Sequence, residues 1–280
     1  MAGIIQATSI EGSLDAKNIV MGVLTHAYEQ SNLKEIARFV DVPKLDATVP
    51  IQIGPAVEED VDEFVDTPIR TGEFKSVKFS LKKDRVRLVA TDESRYRASA
   101  GDPLQLQIGS SGDALAQALD KKIAMALEVD PQTDAATAAW STVTNNPLID
   151  LSIAFAKLRP YRADYVVMTS DVWAAFAGND YTSKFATGAP DKLSGVVSVI
   201  PGLNLKVYVS DDITAKTCLV GASGAPSVAV GNGPVKVRTK DLEQGGELYQ
   251  VDVWRQAVAP IMKDDLGLNK AVFQLTGVIA

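Results

Sequence analysis

The stretch GEFKSVKFSLKKDRVRLVATDES, Gly72 to Ser94, is the strongest constraint on what this 280-residue chain can fold into. Val77, Phe79 and Leu81 alternate with Lys78, Ser80 and Lys82, the two-residue period of a half-buried strand. Beyond Lys82-Lys83-Asp84-Arg85, Val86 and Leu88 fall on the opposite parity, so the strand bends or changes faces there. Drawn out as one strand, Phe74 to Asp92 would measure roughly 60 Å at about 3.3 Å per residue. A compact globule of this length is only about 50 Å across. The segment therefore folds back on itself or reaches toward another molecule.

The surrounding sequence is ordinary globular material, 46% hydrophobic and 22% charged, long enough for two cores or one large one. No apolar run reaches the roughly 18 residues of a membrane span. The opening MAGIIQATSIEGSLD lacks the basic region and apolar core of a secretory signal, which predicts a soluble protein, intracellular at synthesis and without a membrane partner. The single cysteine, Cys218, excludes an intramolecular disulfide and reads as a small buried hydrophobe in TCLVGAS. A net charge of -7 argues against a surface that grips nucleic acid through many Lys and Arg contacts, though not against a shell that encloses it.

Along the chain, Ser13 can cap a helix from Leu14 toward Gln30, and Asn32 with Glu35 marks a second helix carrying Leu33, Ile36, Ala37 and Val40 on one face. The first dozen residues read as a loose arm. From Thr48, VPIQIGPAVEEDVDEFVDTPIRTGEF brings Pro50, Pro55, Pro68 and an acidic run, and with Gly72–Ser94 it reads as two arms of a long charged hairpin. Ser110 and Asp113 form a capping box ahead of a rod in which Leu115, Leu119, Ile123 and Leu127 recur every four residues. TDAATAAWSTV reads as a further helical block. Asn146 and Pro147 open PLIDLSIAFAKLRP, whose two apolar faces predict burial on more than one side. Strands follow in DYVVMTS, LKVYVSDD, KTCLVGA, SVAVGNG, PVKVRTK, ELYQVDVWRQAV and NKAVFQLTG, with a short helix SDVWAAFAG and turns at Asn232-Gly233-Pro234 and Gly245-Gly246. The mixture is α+β.

Chemistry is hard to assemble from these residues. His26 is the only histidine and sits in a predicted helix, so no histidine triad or histidine-rich metal site can form within one chain. Glu58, Glu59, Asp60, Asp62 and Glu63 lack the spacing and glycine of a calcium loop and read first as a solvated face. VGASGAPSVAVGNGP has neither the Gly-Lys-Ser/Thr ending of a phosphate loop nor its strand-to-helix context, and Ser170 and Ser183 have no nucleophile surround. The expectation is a protein with no catalytic residue, metal ligand set or cofactor. A carboxylate-metal hydrolase built on the acidic run is the enzymatic alternative.

The order of arm, charged hairpin, long helix, mixed region and returning strand resembles the major capsid proteins of tailed double-stranded DNA bacteriophages, the Hong Kong 97-like fold. RADYVVMTSDVWAAFAGND, Arg162 to Asp180, looks like that family's apolar strand ending in a polar pair, then Asp, Trp and a small-residue helix. LSGVVSVIPGLNLKVYVSDDI is similar to its loop leading to a strand, here Gly202 to Val209. VDVWRQAVAPIMKDDLGL with NKAVFQLTGV looks like its closing strand pair. The resemblance implies an N-terminal arm and helices at 1–47, an extended β-hairpin loop at 48–109 and a peripheral domain with its spine helix at 110–146. It further implies an axial domain at 147–246 and a return to the periphery at 247–280.

What it implies for function is mechanical. Copies associate in pentamers and hexamers into an icosahedral shell around a double-stranded DNA genome, without sequence-specific binding. The shell forms in the host cytoplasm and persists as the virion capsid. Scaffolding, portal and cement proteins are the accessory partners, and the lack of a long coiled-coil extension implies a separate scaffold or none. Lys78, Lys82, Lys83, Arg85 and Arg87 on the loop are expected to meet acidic surface next door, with Glu58, Glu59 and Asp60 as part of one such surface. Deleting residues 56–85 is then expected to abolish normal closed particles. Lys75, Lys78, Lys82 and Lys83 lie where some relatives cross-link, but no asparagine partner is identifiable, so no cross-link is expected. The alternative within the fold is an encapsulin, a nanocompartment shell loading protein cargo, which a dry pocket around Leu14 to Tyr28 would favour.

Overall fold

The computed structural model describes residues 14–52, 74–91, 103–142, 145–183, 196–200, 203–223, 227–242, 245–260, 263 and 266–279. Helix α1 (Leu14–Gln30) leads through a 3-10 turn (Lys34–Ile36) to β1 (Arg38–Asp41), β2 (Asp46–Gln52), β3 (Phe74–Ser80) and β4 (Lys82–Ala90). The long α2 (Pro103–Leu127) is followed by β5 (Pro131–Ala135), α3 (Pro147–Lys157), β6 (Tyr165–Met168) and α4 (Ser170–Gly178). Strands β7 (Val196–Ile200), β8 (Leu205–Val209), β9 (Cys218–Gly221), β10 (Ala229–Asp241), β11 (Glu247–Val258) and β12 (Asn269–Thr276) complete the chain.

These strands form three sheets: four strands in the order β1-β10-β11-β4, six in the order β5-β12-β9-β6-β8-β7, and the pair β2-β3. Helix α2 spans the two larger sheets. Its Ile108 and Leu115 pack with Val20 and Val23 of α1 on Leu88, Val235, Tyr249 and Val251 of the four-stranded sheet. Its Leu119, Ile123 and Leu127 pack on Val167, Tyr208, Leu219 and Val272 of the six-stranded sheet. The other face of that sheet carries Leu151 and Leu158 of α3, Val172 and Phe176 of α4, and Trp140. Covered on both faces, β6 is buried at every residue, which is why Tyr165-Val166-Val167-Met168 is a continuous apolar run and not an alternating one.

The capping logic holds where it stays local. Asn146 accepts the Leu148 amide at 3.0 Å with Pro147 in the first turn of α3, and Thr169 caps α4. The Leu115 to Leu127 stripe is buried as its period requires.

Elsewhere the structure corrects the reading. The helix expected from Asn32 is a single 3-10 turn running into β1, because its capping groups are engaged from outside. Asp120 of α2 accepts the Asn32 and Leu33 amides and the Ser31 hydroxyl at 2.9, 3.2 and 2.6 Å, and Glu35 accepts the Tyr208 hydroxyl at 3.0 Å instead of reaching back. Helix α2 starts at Pro103, not at Ser110, so the expected boundary at 109/110 falls inside it. Gly109-Ser110-Ser111-Gly112 is a contact with α1, not a break: a Cβ at Gly112 would stand 2.7 Å from His26 Cδ2.

TDAATAAWSTV is not helical but begins in β5, held parallel to β12. Asn232-Gly233-Pro234 is no turn; it is an irregularity within β10, where the register with β11 shifts between Asn232 and Val235. A strand, β7, stands where a loop was expected. Ile149 and Ile153 of α3 are 56% and 42% exposed, so that helix is buried on one side only. Segment membership also differs from 147–246 and 247–280. Strand β10 belongs with β11 and β4, while β12 pairs with β9 and β5 in the six-stranded sheet. The arm at 1–13 with Ser13, and Glu58 to Glu63, lie outside the described residues.

Candidate assembly surface

The parity change at Lys82 to Arg85 has a concrete form. Strand β3 pairs antiparallel with β2 alone, Ala47 opposite Phe79 and Val49 opposite Val77, whereas β4 pairs with β11. Leu81 lies between them, so the chain exchanges one partner for another within a single residue. Val77, Phe79 and Leu81 turn inward onto Val42, Ala229, Trp254 and Val258, anchoring the base of the hairpin to the four-stranded sheet. Strand β10 admits them through glycine. A Cβ at Gly231 would stand 2.8 Å from Phe79 Cδ1, and one at Gly233 2.5 Å from Leu81 Cδ1. Thr48, Ser76, Lys78 and Ser80 form the exposed opposite face.

The two edges of this hairpin are not equivalent. The Leu81 amide donates to the Leu45 carbonyl at 2.7 Å, and such hydrogen-bonded pairs alternate along an antiparallel ladder. Ala47/Phe79, Val49/Val77 and Ile51/Lys75 share that phase, so Asp46/Ser80, Thr48/Lys78 and Pro50/Ser76 turn their backbone groups outward. Ser80 does so visibly, donating its amide to Gln256 Oε1 of β11 at 2.5 Å. On the outer edge of β2, Pro50 has no N–H to offer. On the outer edge of β3, the backbone groups of Ser76 and Lys78 have no partner among the described residues. One edge is blunted and the other is open to an added strand.

Charge fixes the direction from which the hairpin leaves. Asp84 of β4 receives Lys122 Nζ of α2 at 2.7 and 2.6 Å and Arg255 Nε of β11 at 3.1 Å. Arg255, itself buried, donates on to the Leu115 carbonyl at 2.5 Å, and Lys122 to the Arg255 carbonyl at 3.2 Å. On the opposite side of β4, Arg85 grips the buried Asp252 with two hydrogen bonds of 2.6 and 3.1 Å. Burial works to raise the Asp252 pKa, but the hydrogen bonds from Arg85 and Gln250 and the nearby Arg85 and Lys83 charges outweigh it and hold the carboxyl below its ordinary range. The first residues after Leu81 are thus clamped to α2 and β11.

Of the five basic residues expected on the extended loop, only Lys78 lies on the hairpin, exposed on its polar face. Lys82, Lys83, Arg85 and Arg87 are in β4, inside the four-stranded sheet. Lys82 and Arg87 are exposed, Lys83 Nζ lies 5.9 Å from the Trp254 ring centroid, and Arg85 is held by its own chain's Asp252. Glu58, Glu59 and Asp60 lie outside the described residues. Deleting residues 56–85 would therefore remove Phe79, Leu81 and Asp84 together with the hairpin and damage the subunit itself. Asp84, Lys122, Asp252 and Arg255 were not singled out by sequence reasoning. Asp252 sits on the polar parity of QVDVW, which reads as solvent-facing, and only the register with Arg85 shows its partner.

The remaining candidates resolve into structure. His26 Nε2 lies 3.0 Å from Asp113 Oδ1, linking α1 to α2. Cys218 is fully buried, and burial first, then Asp150, pushes its thiol pKa up. Among the described residues no cluster of His, Cys, Asp and Glu could hold a metal ion, and no helix is long and apolar enough to cross a membrane.

At the level of sequence, no family model and no curated protein matches the chain. Solved structures do. A virus-like particle from Pyrococcus furiosus superposes with a TM-score of 0.63 at 11% identity, over 94% of this chain and 100% of the other. The capsid of an empty GTA particle gives 0.62 at 15% identity, over 88% and 89%. The head of Helicobacter pylori bacteriophage KHP40 gives 0.61 at 12% identity, over 88% and 90%. With an α+β architecture, a two-stranded hairpin set apart from both sheets, and one long helix spanning them, the chain has a Hong Kong 97-like fold, shared with these particle, capsid and head structures.

Proposed function

We propose that this protein is the major subunit of an icosahedral shell enclosing the double-stranded DNA of a tailed phage or related particle. The hairpin is the observation that carries the reading beyond fold. Among the described residues its two strands pair only with each other, it is anchored at its base by Phe79 and Leu81, and it offers one open edge. An isolated two-stranded hairpin is marginal in water, so its further stabilisation comes from another molecule. A second copy adding a strand along β3 makes a head-to-tail contact, and head-to-tail contacts close into rings.

In this reading the four-stranded sheet with α1 and α2 is the peripheral domain, and the six-stranded sheet with α3 and α4 is the axial domain. Five or six axial domains cluster in each ring. The DNA is enclosed and not gripped, in keeping with a net charge of -7. Scaffolding, portal and cement proteins are the partners such a shell takes, and its place is the host cytoplasm during assembly and the virion afterwards.

The register supplies a clean test. Ala47 faces Phe79, so replacing residues 48–78 by an Asn-Gly turn shortens the hairpin without touching Phe79, Leu81 or Asp84. The shortened chain is expected to fold as a free subunit and to form no closed particles in electron micrographs. Closed shells of normal size would overturn the proposal. Nuclease-protected DNA in particles from the natural source separates this reading from an encapsulin, whose particles would carry protein.

A further inference from the structure

The four-stranded sheet ends at β4, and the outer edge of that strand is covered at one residue and bare at others. Gln107 of α2 does the covering. Its side-chain amide donates to the Val89 carbonyl and accepts the Val89 amide, each at 2.9 Å, so a side chain stands in for a pairing strand. Val89 therefore turns its backbone groups away from β11, and in an antiparallel ladder every second residue does the same. Lys83, Arg85 and Arg87 share its phase, opposite Trp254, Asp252 and Gln250.

The ladder on the other side of β11 agrees. The Leu242 amide donates to the Gly246 carbonyl at 2.9 Å, and the same phase makes Leu248, Gln250 and Asp252 the residues of β11 that bond β10. Tyr249, Val251 and Val253 are left to bond Leu88, Val86 and Asp84 of β4. The outward N–H and C=O groups of Lys83, Arg85 and Arg87 have no partner among the described residues, and all three residues are exposed. At roughly 3.3 Å per residue they span about 13 Å, room for one short strand.

Side chains decide what can pair there. Leu88 and Ala90 pack beneath α1 and α2, so Lys83, Arg85 and Arg87, of opposite parity, project to the other face of the sheet. Arg85 is held by Asp252 and Lys83 Nζ lies 5.9 Å from the Trp254 ring centroid, whereas Arg87 has no carboxylate partner among the described residues. Across Gln250 from Arg87 stands another cation, Arg238. Such an edge repels its own kind. Two β4 edges, or β4 against the β3 edge with its exposed Lys78, would set like charges side by side. A strand with carboxylates at alternate positions meets the opposite condition. On the helix side the strip runs from Gln107 to Lys122, which is bound to Asp84. The α2 residues on the stripe between them, Ser111, Ala114 and Ala118, are small and leave room for side chains of modest size.

We propose that the outer edge of β4 is a docking strip for an extended acidic segment of a second protein, which adds to the sheet as a fifth strand and sets its carboxylates beside Lys83 and Arg87. The proposal goes beyond the shell reading and does not depend on it.

Fluorescence anisotropy of the free full-length subunit tests it, with labelled peptides as probes. An end-capped peptide in which Glu alternates with Val is expected to bind about tenfold or more tightly than its Lys-Val counterpart at roughly 0.15 M salt. Two further versions are N-methylated, one on the Glu amides and one on the Val amides. Only one set can face β4, the Glu amides in antiparallel pairing and the Val amides in parallel, so one version is expected to lose binding about tenfold or more and the other to keep it. These probes leave the protein untouched. In the protein, Arg87→Glu is expected to weaken the acidic probe about tenfold with the thermal transition unchanged, because the side chain is exposed. No saturable binding of the acidic probe up to about 1 mM, equal binding of the Lys-Val peptide, or equal loss from both methylations overturns the proposal. A probe that binds free subunits but not assembled particles also overturns it, assigning the strip to a second copy of this chain.

Discussion

Asp84 shows how much of this molecule turns on single, partly buried charges. It is the common acceptor for Lys122 and Arg255, and Arg255 is itself buried beneath α2. Asp84→Asn leaves two cations without their counter-charge, and breaking a buried pair from one side costs about 3–5 kcal/mol. Urea unfolding of the free subunit should show a loss at the lower end of that range, since Asp84 and Lys122 retain some solvent contact. A second residue-scale expectation concerns acid. Asp252, Asp134 and Asp211 all have folded-state pKa values below their ordinary one. Their stabilisation is complete above the unfolded value near 4 and is lost as pH falls through the lower folded values. Asp120 has the opposite sign: burial raises its pKa, so it weakens the fold above that value and ceases to do so on protonation. Three groups against one predict net loss of stability below about pH 4. Asp252→Asn should flatten the acid limb measured by urea titration at successive pH values.

The hairpin is where individual elements make the most specific claim. Ser76 turns its amide outward, opposite Pro50. Ser76→Pro should therefore leave the β2-β3 pair and the stability of the free subunit nearly unchanged, within about 1 kcal/mol, while blunting the β3 edge and reducing particle yield. Val77→Pro, which removes an inward amide, should destabilise the subunit as well. Undiminished particle yield from Ser76→Pro would show that the edge is not used. The same elements show what could be read in advance. The parity break beyond Leu81 and the Asn146-Pro147 start of α3 were legible because each rests on neighbours in sequence. The helix expected from Asn32 and the late start given to α2 were not, because Asp120, Tyr208 and His26 decide them from far along the chain. The basic loop residues were legible as a charged set but not as members of β4, whose partner β11 lies about 165 residues away.

At the scale of the whole molecule, α2 packs on both larger sheets, and the base of the β2-β3 hairpin packs on the four-stranded one while its polar face stays exposed. The central claim is that this chain builds a closed shell, and electron microscopy of the purified protein, expressed alone or with the other structural proteins of its source, tests it most directly. The account predicts closed particles whose subunits cluster in fives and sixes, with the open β3 edge of each hairpin engaged by another copy. A monodisperse 29.8 kDa species that forms no particles under any of those conditions would contradict it.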